Sequence, residues 1–115
     1  MINNILASSI SIMPKWFIKL FSKSYIAGHE PKEVINIVKN LNTQGFSTTI
    51  DILGEHTNSL EKTFSVTKEY IQLYDDIAKN SVDSNISVKP THIGLDISMN
   101  LALENFKKLT EKASE

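Results

Sequence analysis

The sequence predicts an α/β fold with parallel strands, and two observations carry that prediction. Two short segments rich in β-branched residues, 46–53 and 85–89, are each followed by apolar residues at helical spacing. A strand, a long helix and a second strand form a βαβ unit, in which the strands run parallel. Two strands alone do not make a sheet that is covered on both faces, and a third strand is expected after the last helix. We therefore expect an incomplete domain.

Residues 1–45 are predicted to form N-terminal helices and a link. Apolar residues recur at helical spacing within residues 1–24, with lysines between them. This pattern is typical of a helix on a membrane surface and also of a helix packed against its own domain, and both interpretations stay open. A second helix is predicted to begin near Pro31 and to end near Gly45. Its predicted apolar stripe is Val34, Ile37, Val38 and Leu41.

Residues 46–115 are predicted to form two β–α units. The first strand, 46–53, ends at Gly54, and the helix after it is capped by Asn58 or Ser59. The second strand, 85–89, ends at Pro90 and leads through a loop, 91–98, into the last helix. The stripe of the middle helix is Leu60, Phe64, Ile71, Tyr74 and Ile77. That of the last helix is Met99, Ala102, Leu103, Phe106, Leu109 and Ala113.

The composition excludes several classes of function. The chain has no cysteine, which excludes disulfides, thiolate nucleophiles and cysteine-based zinc sites and fits a reducing cytoplasm. Its net charge of −1 gives a nucleic-acid partner no electrostatic support. The longest apolar-leaning stretch is too short and too charged to span a bilayer, and the N-terminus lacks the basic opening of a signal peptide. We therefore expect a cytoplasmic protein, with peripheral membrane contact left open.

Charged residues follow both predicted strands. Asp51 and Glu55 lie at the end of the first strand, and Lys89 lies at the end of the second. The carboxyl ends of parallel strands meet on one side, where α/β proteins place their sites, and neighbouring strands are about 5 Å apart. We expect the two acids and the lysine to converge. The group would serve either as an anion-binding or charge-relay site or as a structural ion pair, and the charge pattern leaves both open.

The histidines and glycines carry weaker signals. His29, His56 and His92 lack the spacing of a metal site, so no metal is expected. Gly54 follows a strand without a phosphate-binding motif, which disfavours a dinucleotide-binding site, and Gly94 is typical of a turn.

Four segments resemble the proline dehydrogenase family in order and spacing. Asp-x-Leu-Gly-Glu and Ser-x-Lys-x-Thr-x-x-Gly are the specific ones, and the other two support them. The segments are Tyr25-Ile26-Ala27-Gly28, Leu41-Asn42-x-x-Gly45, Asp51-Ile52-Leu53-Gly54-Glu55 and Ser87-Val88-Lys89-Pro90-Thr91-His92-Ile93-Gly94. The resemblance covers most of the chain after residue 22 but only the opening third of the family's domain.

The resemblance implies a fold, a reaction and roles for residues. The fold would be the first part of a (β/α)₈ TIM-type barrel that holds FAD, truncated after two β–α units. The family takes part in proline catabolism: it oxidises L-proline to Δ1-pyrroline-5-carboxylate and passes electrons to a quinone. By resemblance, Lys89 contacts the substrate carboxylate, and Glu55 pairs with a substrate-binding arginine and helps to close the pocket. Asp51 is a characteristic position near the strand end, and no residue is assigned to the cofactor.

The sequence also departs from the family pattern. It contains no arginine, whereas the family's paired arginines come late in the barrel. His92 stands where the family often has glutamine, and Pro90 stands where an aliphatic residue is more usual. We therefore expect a segment of a proline dehydrogenase that is inactive and flavin-free alone. Two alternatives are a non-catalytic binding or self-association module derived from a truncated barrel, and a membrane-associated fragment.

Overall fold

The computed structural model describes residues 14–16, 27, 28 and 30–115. Three α-helices, two β-strands and one 3₁₀ helix occur in the order α1, β1, α2, β2, 3₁₀ and α3. Their bounds are α1 Pro31–Thr43, β1 Thr48–Asp51, α2 Leu60–Asn80, β2 Ser84–Ser87, 3₁₀ Pro90–Ile93 and α3 Met99–Ala113. Among these residues no helix is long and apolar enough to cross a membrane.

The chain divides into two units, Met1–Val34 and Ile35–Glu115. Lys15 and Trp16 are helical, but most of the helix predicted over residues 1–24 lies outside the described residues. The predicted boundary between residues 45 and 46 stays a prediction. The second unit contains both strands and every residue proposed for the site.

The two strands pair in parallel, as the βαβ pattern predicted. Asp51 lies opposite Ser87, and Thr49 lies opposite Asn85. Both strands are shorter than the predicted segments 46–53 and 85–89. β1 begins two residues later than predicted and ends at Asp51, whereas β2 begins one residue earlier than predicted and ends at Ser87. The result is a partial α/β arrangement of three helices and a two-stranded sheet.

The core lies on one face of this sheet. Ile52, Ile86 and Val88 pack against buried residues of α2, α3 and the 3₁₀ helix, and those buried residues are Val66, Tyr70, Ile93 and Leu109. Side chains alternate between the two faces of a strand. Thr49 and Asp51 therefore point away from the core, and both are exposed.

The predicted apolar stripes of the helices are wrong in part. In α2, Leu60 and Phe64 are 53% and 52% exposed, whereas Thr63 and Thr67 are buried. In α3, Met99, Leu103 and Phe106 are exposed, whereas Asn105 is fully buried. Polar residues occupy the buried faces because each finds a hydrogen-bond partner there. Thr67 Oγ1 donates to Thr63 O at 2.8 Å, and Asn105 Nδ2 donates to Ile93 O at 2.9 Å.

The link from α1 to β1 fixes where the strands start. Gly45 has a φ of 88°, a left-handed conformation that glycine adopts readily just past a helix end. Asn42 donates to Phe46 O at 2.9 Å and to Asp83 O at 3.0 Å, and its Oδ1 accepts from Asp83 N at 2.8 Å. Asn42 therefore ties the residues before β1 to the residue before β2. The stripe predicted for this helix missed Ile35, which is buried, and included Ile37, which is exposed.

Capping residues set the starts of the two longer helices. Ser59 accepts from Lys62 N before α2, which decides between the two predicted caps. Ser98 accepts from Leu101 N before α3.

Candidate functional site

Asp51 and Lys89 meet where β1 and β2 end. Lys89 Nζ lies 2.8 Å from both Asp51 Oδ1 and Asp51 Oδ2, so the ammonium binds the carboxylate through two hydrogen bonds. Residue 51 is the last residue of β1, and Lys89 follows β2 by two residues, so parallel pairing brings them to one edge of the sheet. The side chains of Lys89 and Asp51 are 33% and 45% exposed, which leaves the pair open to a ligand.

Glu55 lies apart from this pair. Its Oε2 is 4.0 Å from His56 Nε2, and its side chain is exposed. His56 Nδ1 in turn lies 2.6 Å from Asp96 Oδ2, which joins the segment after β1 to the segment before α3. The structure therefore brings Asp51 and Lys89 together and places Glu55 beside a histidine rather than in a salt bridge with the lysine. Among the described residues no cluster of three His, Asp or Glu side chains could hold a metal ion.

A buried tyrosine–histidine pair lies behind the ion pair. Tyr70 is fully buried on α2, and its hydroxyl lies 3.1 Å from His92 Nδ1, with the two rings edge to face at 84°. Burial raises the pKa of Tyr70 to about 12, and the charge of Asp51 adds to that increase. Burial also lowers the pKa of His92, and the neighbouring Lys89 charge lowers it further. Both groups are therefore neutral near pH 7.

Gly54 makes room for the His92 ring. A Cβ atom at residue 54 would lie 2.6 Å from His92 Nε2, and the φ of 139° is one that other residues rarely adopt. Glycine is therefore required at this position both by its backbone and by its neighbour. The glycine of Asp-x-Leu-Gly-Glu thus packs against the 3₁₀ helix that follows Lys89.

Two buried polar side chains hold the 3₁₀ helix from its other sides. Thr57 N donates to Thr91 O at 3.1 Å, and Thr57 Oγ1 lies 3.2 Å from Thr91 O and 3.3 Å from His92 O. Asn105 binds Ile93 O through its Nδ2 atom. These bonds satisfy carbonyl groups that a buried turn would otherwise leave unpaired.

This arrangement can bind an anion. A lysine ammonium has three N–H donors, so the two bonds to Asp51 leave one free for a carboxylate from solvent. In a fully buried pair the two charges would have only each other as partners. The partial exposure of this pair lets a ligand compete with Asp51 for the lysine. The ion pair itself agrees with the structural interpretation, and the third N–H donor leaves the anion-binding interpretation open.

A cleft of about 540 Å³ lies elsewhere on the second unit. Its lining includes Tyr74, Ser84 and Lys112, so it lies beside the start of β2 rather than its end. Lys112 is engaged there by Asp75 and Glu115 at 2.7 and 2.6 Å. This cleft therefore does not include the Asp51–Lys89 pair.

Tyr70 and Thr57 did not stand out in the sequence. Tyr70 lies within α2 between two predicted core residues, and a tyrosine at helical spacing is more often a packing residue. Thr57 precedes the helix cap in an ordinary polar segment. The available signal was a tyrosine near threonines on the helix after the first strand. If these residues form the buried face, the tyrosine hydroxyl needs a hydrogen-bond partner.

Comparison with known proteins gives this edge a context. The chain is 37% identical over 100 residues to proline dehydrogenase 2 of Bacillus subtilis (strain 168), which covers 87% of this chain and 33% of that protein. It is 33% identical over 97 residues to proline dehydrogenase 1 of the same strain, covering 84% of this chain and 32% of that protein. The chain spans about a third of the length of these relatives. No family model matches it. Over most of its length the chain is therefore a relative of the proline dehydrogenases, a family of oxidoreductases.

Proposed function

We propose that this chain supplies the carboxylate-binding edge of a proline dehydrogenase, with Lys89 as the substrate anchor and Asp51 as its support. The complete enzyme would oxidise L-proline to Δ1-pyrroline-5-carboxylate with FAD and pass the electrons to a quinone. The observation that carries the proposal is the Asp51–Lys89 pair at the ends of two parallel strands. The names of the relatives support the choice of proline over other anions.

The chemistry of the pair fits an amino-acid carboxylate. The lysine is a compact charge on a flexible stem, and it binds a carboxylate as a point charge. Asp51 keeps the ammonium at the edge of the sheet instead of letting it extend into solvent. Glu55 lies four residues beyond the end of β1, and its side chain is exposed beside His56. It is therefore accessible to a cation from outside the described residues.

FAD fits this edge only as a ligand that contacts the sheet on one side. The sheet surface opposite the core is polar and exposed at Thr49 and Asp51, and two four-residue strands do not enclose an isoalloxazine ring. When bound, a flavin would accept the hydride that leaves proline. The residues of this chain would bind and orient the carboxylate, and no protein nucleophile is needed.

The complete domain would be a barrel, and the isolated chain would be inactive. Parallel β–α units are the repeating element of a (β/α)₈ barrel, whose sites lie at the carboxyl ends of the strands. The chain spans a third of its relatives, so most of such a barrel would lie outside these 115 residues. We expect the isolated chain to retain no flavin and to show no proline-dependent dye reduction.

A chimera tests the function. The matching 100 residues of proline dehydrogenase 2 of Bacillus subtilis are replaced with those of this chain, and proline-dependent dye reduction is measured. We expect an active chimera, in which Lys89→Ala raises the KM for proline about 10- to 100-fold, because a hydrogen bond between charged groups contributes about 1.5–3 kcal/mol.

Lys107→Ala is the matched control, because Lys107 is an exposed lysine on α3, away from the strand ends. Its KM should equal that of the parent chimera. An active chimera whose KM is unchanged by Lys89→Ala contradicts the carboxylate role.

Exposed apolar residues favour a second candidate, a binding or self-association module. Met99, Leu103 and Phe106 recur at helical spacing on α3 and are 62%, 50% and 50% exposed. An apolar helix face of this kind packs against another protein surface. Light scattering after size-exclusion chromatography tests it: a concentration-dependent dimer that Leu103→Lys abolishes supports this candidate, and a monomer at all concentrations contradicts self-association.

A further inference from the structure

The Lys89 side chain depends on a turn that three elements hold. Lys89 O accepts a hydrogen bond from His92 N at 2.9 Å, so the lysine begins the 3₁₀ helix that carries His92. Movement of His92 would therefore be transmitted to the lysine backbone within one turn. His92 in turn contacts Tyr70 and the backbone at Gly54.

Tyr70 holds His92 from α2. The phenol lies 3.1 Å from Nδ1, and both side chains are at least 96% buried, so water cannot replace this bond. The Tyr70 hydroxyl and His92 Nδ1 share this hydrogen bond, in which one group donates and the other accepts.

Gly54 places the same ring against the segment that follows Asp51. The closest approach is at Nε2, where even a methyl group would collide. His92 therefore contacts α2 through one ring nitrogen and the loop after β1 through the other. Three elements thus meet at this ring: α2, the loop after β1 and the 3₁₀ helix. The loop follows Asp51 and the 3₁₀ helix follows Lys89, so the ring lies between the segments that carry the ion pair.

We infer that Tyr70 and His92 are positioning residues, which fix the Lys89 ammonium on Asp51 through a hydrogen-bonded contact from α2 to the 3₁₀ helix. Neither side chain touches the ligand. The role rests on the proposed function for the identity of the ligand, but the positioning itself is a property of the 115-residue chain and is measured there.

The test removes one oxygen atom. Tyr70→Phe keeps the ring and its packing but deletes the bond to His92 Nδ1. The readout is the hydrogen exchange of the Lys89 ammonium, observed by ¹H–¹⁵N NMR, because exchange reports how firmly Asp51 holds it. We expect exchange about fivefold faster in the variant, the factor that corresponds to one lost hydrogen bond.

Tyr74→Phe is the matched control. Tyr74 lies one turn further along α2, packs against the same core and has no hydrogen-bond partner among the described residues. The Lys112 ammonium, which pairs with Asp75 and Glu115, is an internal reference in every spectrum. Exchange at Lys89 should be unchanged in Tyr74→Phe, and exchange at Lys112 should be unchanged in both variants.

Substitutions of the histidine give a second readout. Glutamine can accept a hydrogen bond from the Tyr70 hydroxyl and leucine cannot, so His92→Gln should keep slow exchange at Lys89 and His92→Leu should lose it. Unchanged exchange in Tyr70→Phe overturns the inference, and so does equal exchange in the two His92 variants. These results would leave the KM test of Lys89 in the chimera unaffected, so the two proposals fail separately.

Discussion

Gly54→Ala tests the contact that joins the two segments of the site. The new Cβ atom would lie 2.6 Å from His92 Nε2, and the backbone would keep a φ of 139°. Two costs therefore add. An alanine in a left-handed conformation costs about 1–2 kcal/mol, and forcing an extra carbon into a packed interior costs about 1–3 kcal/mol. We expect Gly54→Ala to lower the free energy of unfolding by about 3.5 kcal/mol, the sum of the middle of these ranges.

Gly45→Ala separates the two costs. Gly45 also has a positive φ, 88°, but a Cβ atom there would meet nothing within 4 Å. This variant should show the backbone cost alone, about 1–2 kcal/mol. The assay is urea unfolding, monitored by far-UV circular dichroism, with both variants measured beside the parent chain. Equal losses in the two variants would refute the argument, because the contact with His92 would then contribute nothing.

Two further predictions concern His92 and the core. The pKa of His92 is lowered from 6.5 in the folded state, so the unfolded chain binds more protons near pH 6. The free energy of unfolding should therefore fall as the pH drops below about 6.5 and level off above it, and His92→Gln should lack this part of the pH dependence in urea titrations. Leu109→Ala should lower the free energy of unfolding by about 3 kcal/mol, because the side chain is 1% exposed, whereas Leu103→Ala, which is 50% exposed, should cost less than about 1 kcal/mol. A Leu103 variant as unstable as the Leu109 variant would contradict the orientation of α3.

The order of elements could be predicted from the sequence, but the buried faces could not. Strand pairing followed from two β-rich segments on either side of a long helix, and it is parallel in the structure. The predicted stripes followed the spacing of the apolar residues, but several of these are exposed and polar residues are buried in their place. Asn105 is buried because Ile93 O needs a donor, and that requirement arises only once the 3₁₀ helix has folded against α3.

The site was predictable to the same depth. Strand ends identified Asp51 and Lys89 as neighbours, because parallel strands deliver both residues to one edge. Glu55 was expected with them, but it follows Gly54, whose positive φ turns the chain, and its neighbour is His56. Tyr70 was harder to foresee, since its partner is a residue 22 positions away on another element.

The contacts also give a physical reason for the two specific segments to occur together. Asp51 pairs with the Lys89 ammonium at 2.8 Å. Gly54 has no side chain where the His92 ring lies, and Thr57 closes the carbonyls of residues 91 and 92. A change in one segment therefore alters the packing of the other. The two segments act as a unit, and together they hold the Lys89 ammonium in place. An arginine in place of Lys89 would test this step: its longer, planar head group could still pair with Asp51 but would carry its charge beyond the edge that Tyr70 and His92 support.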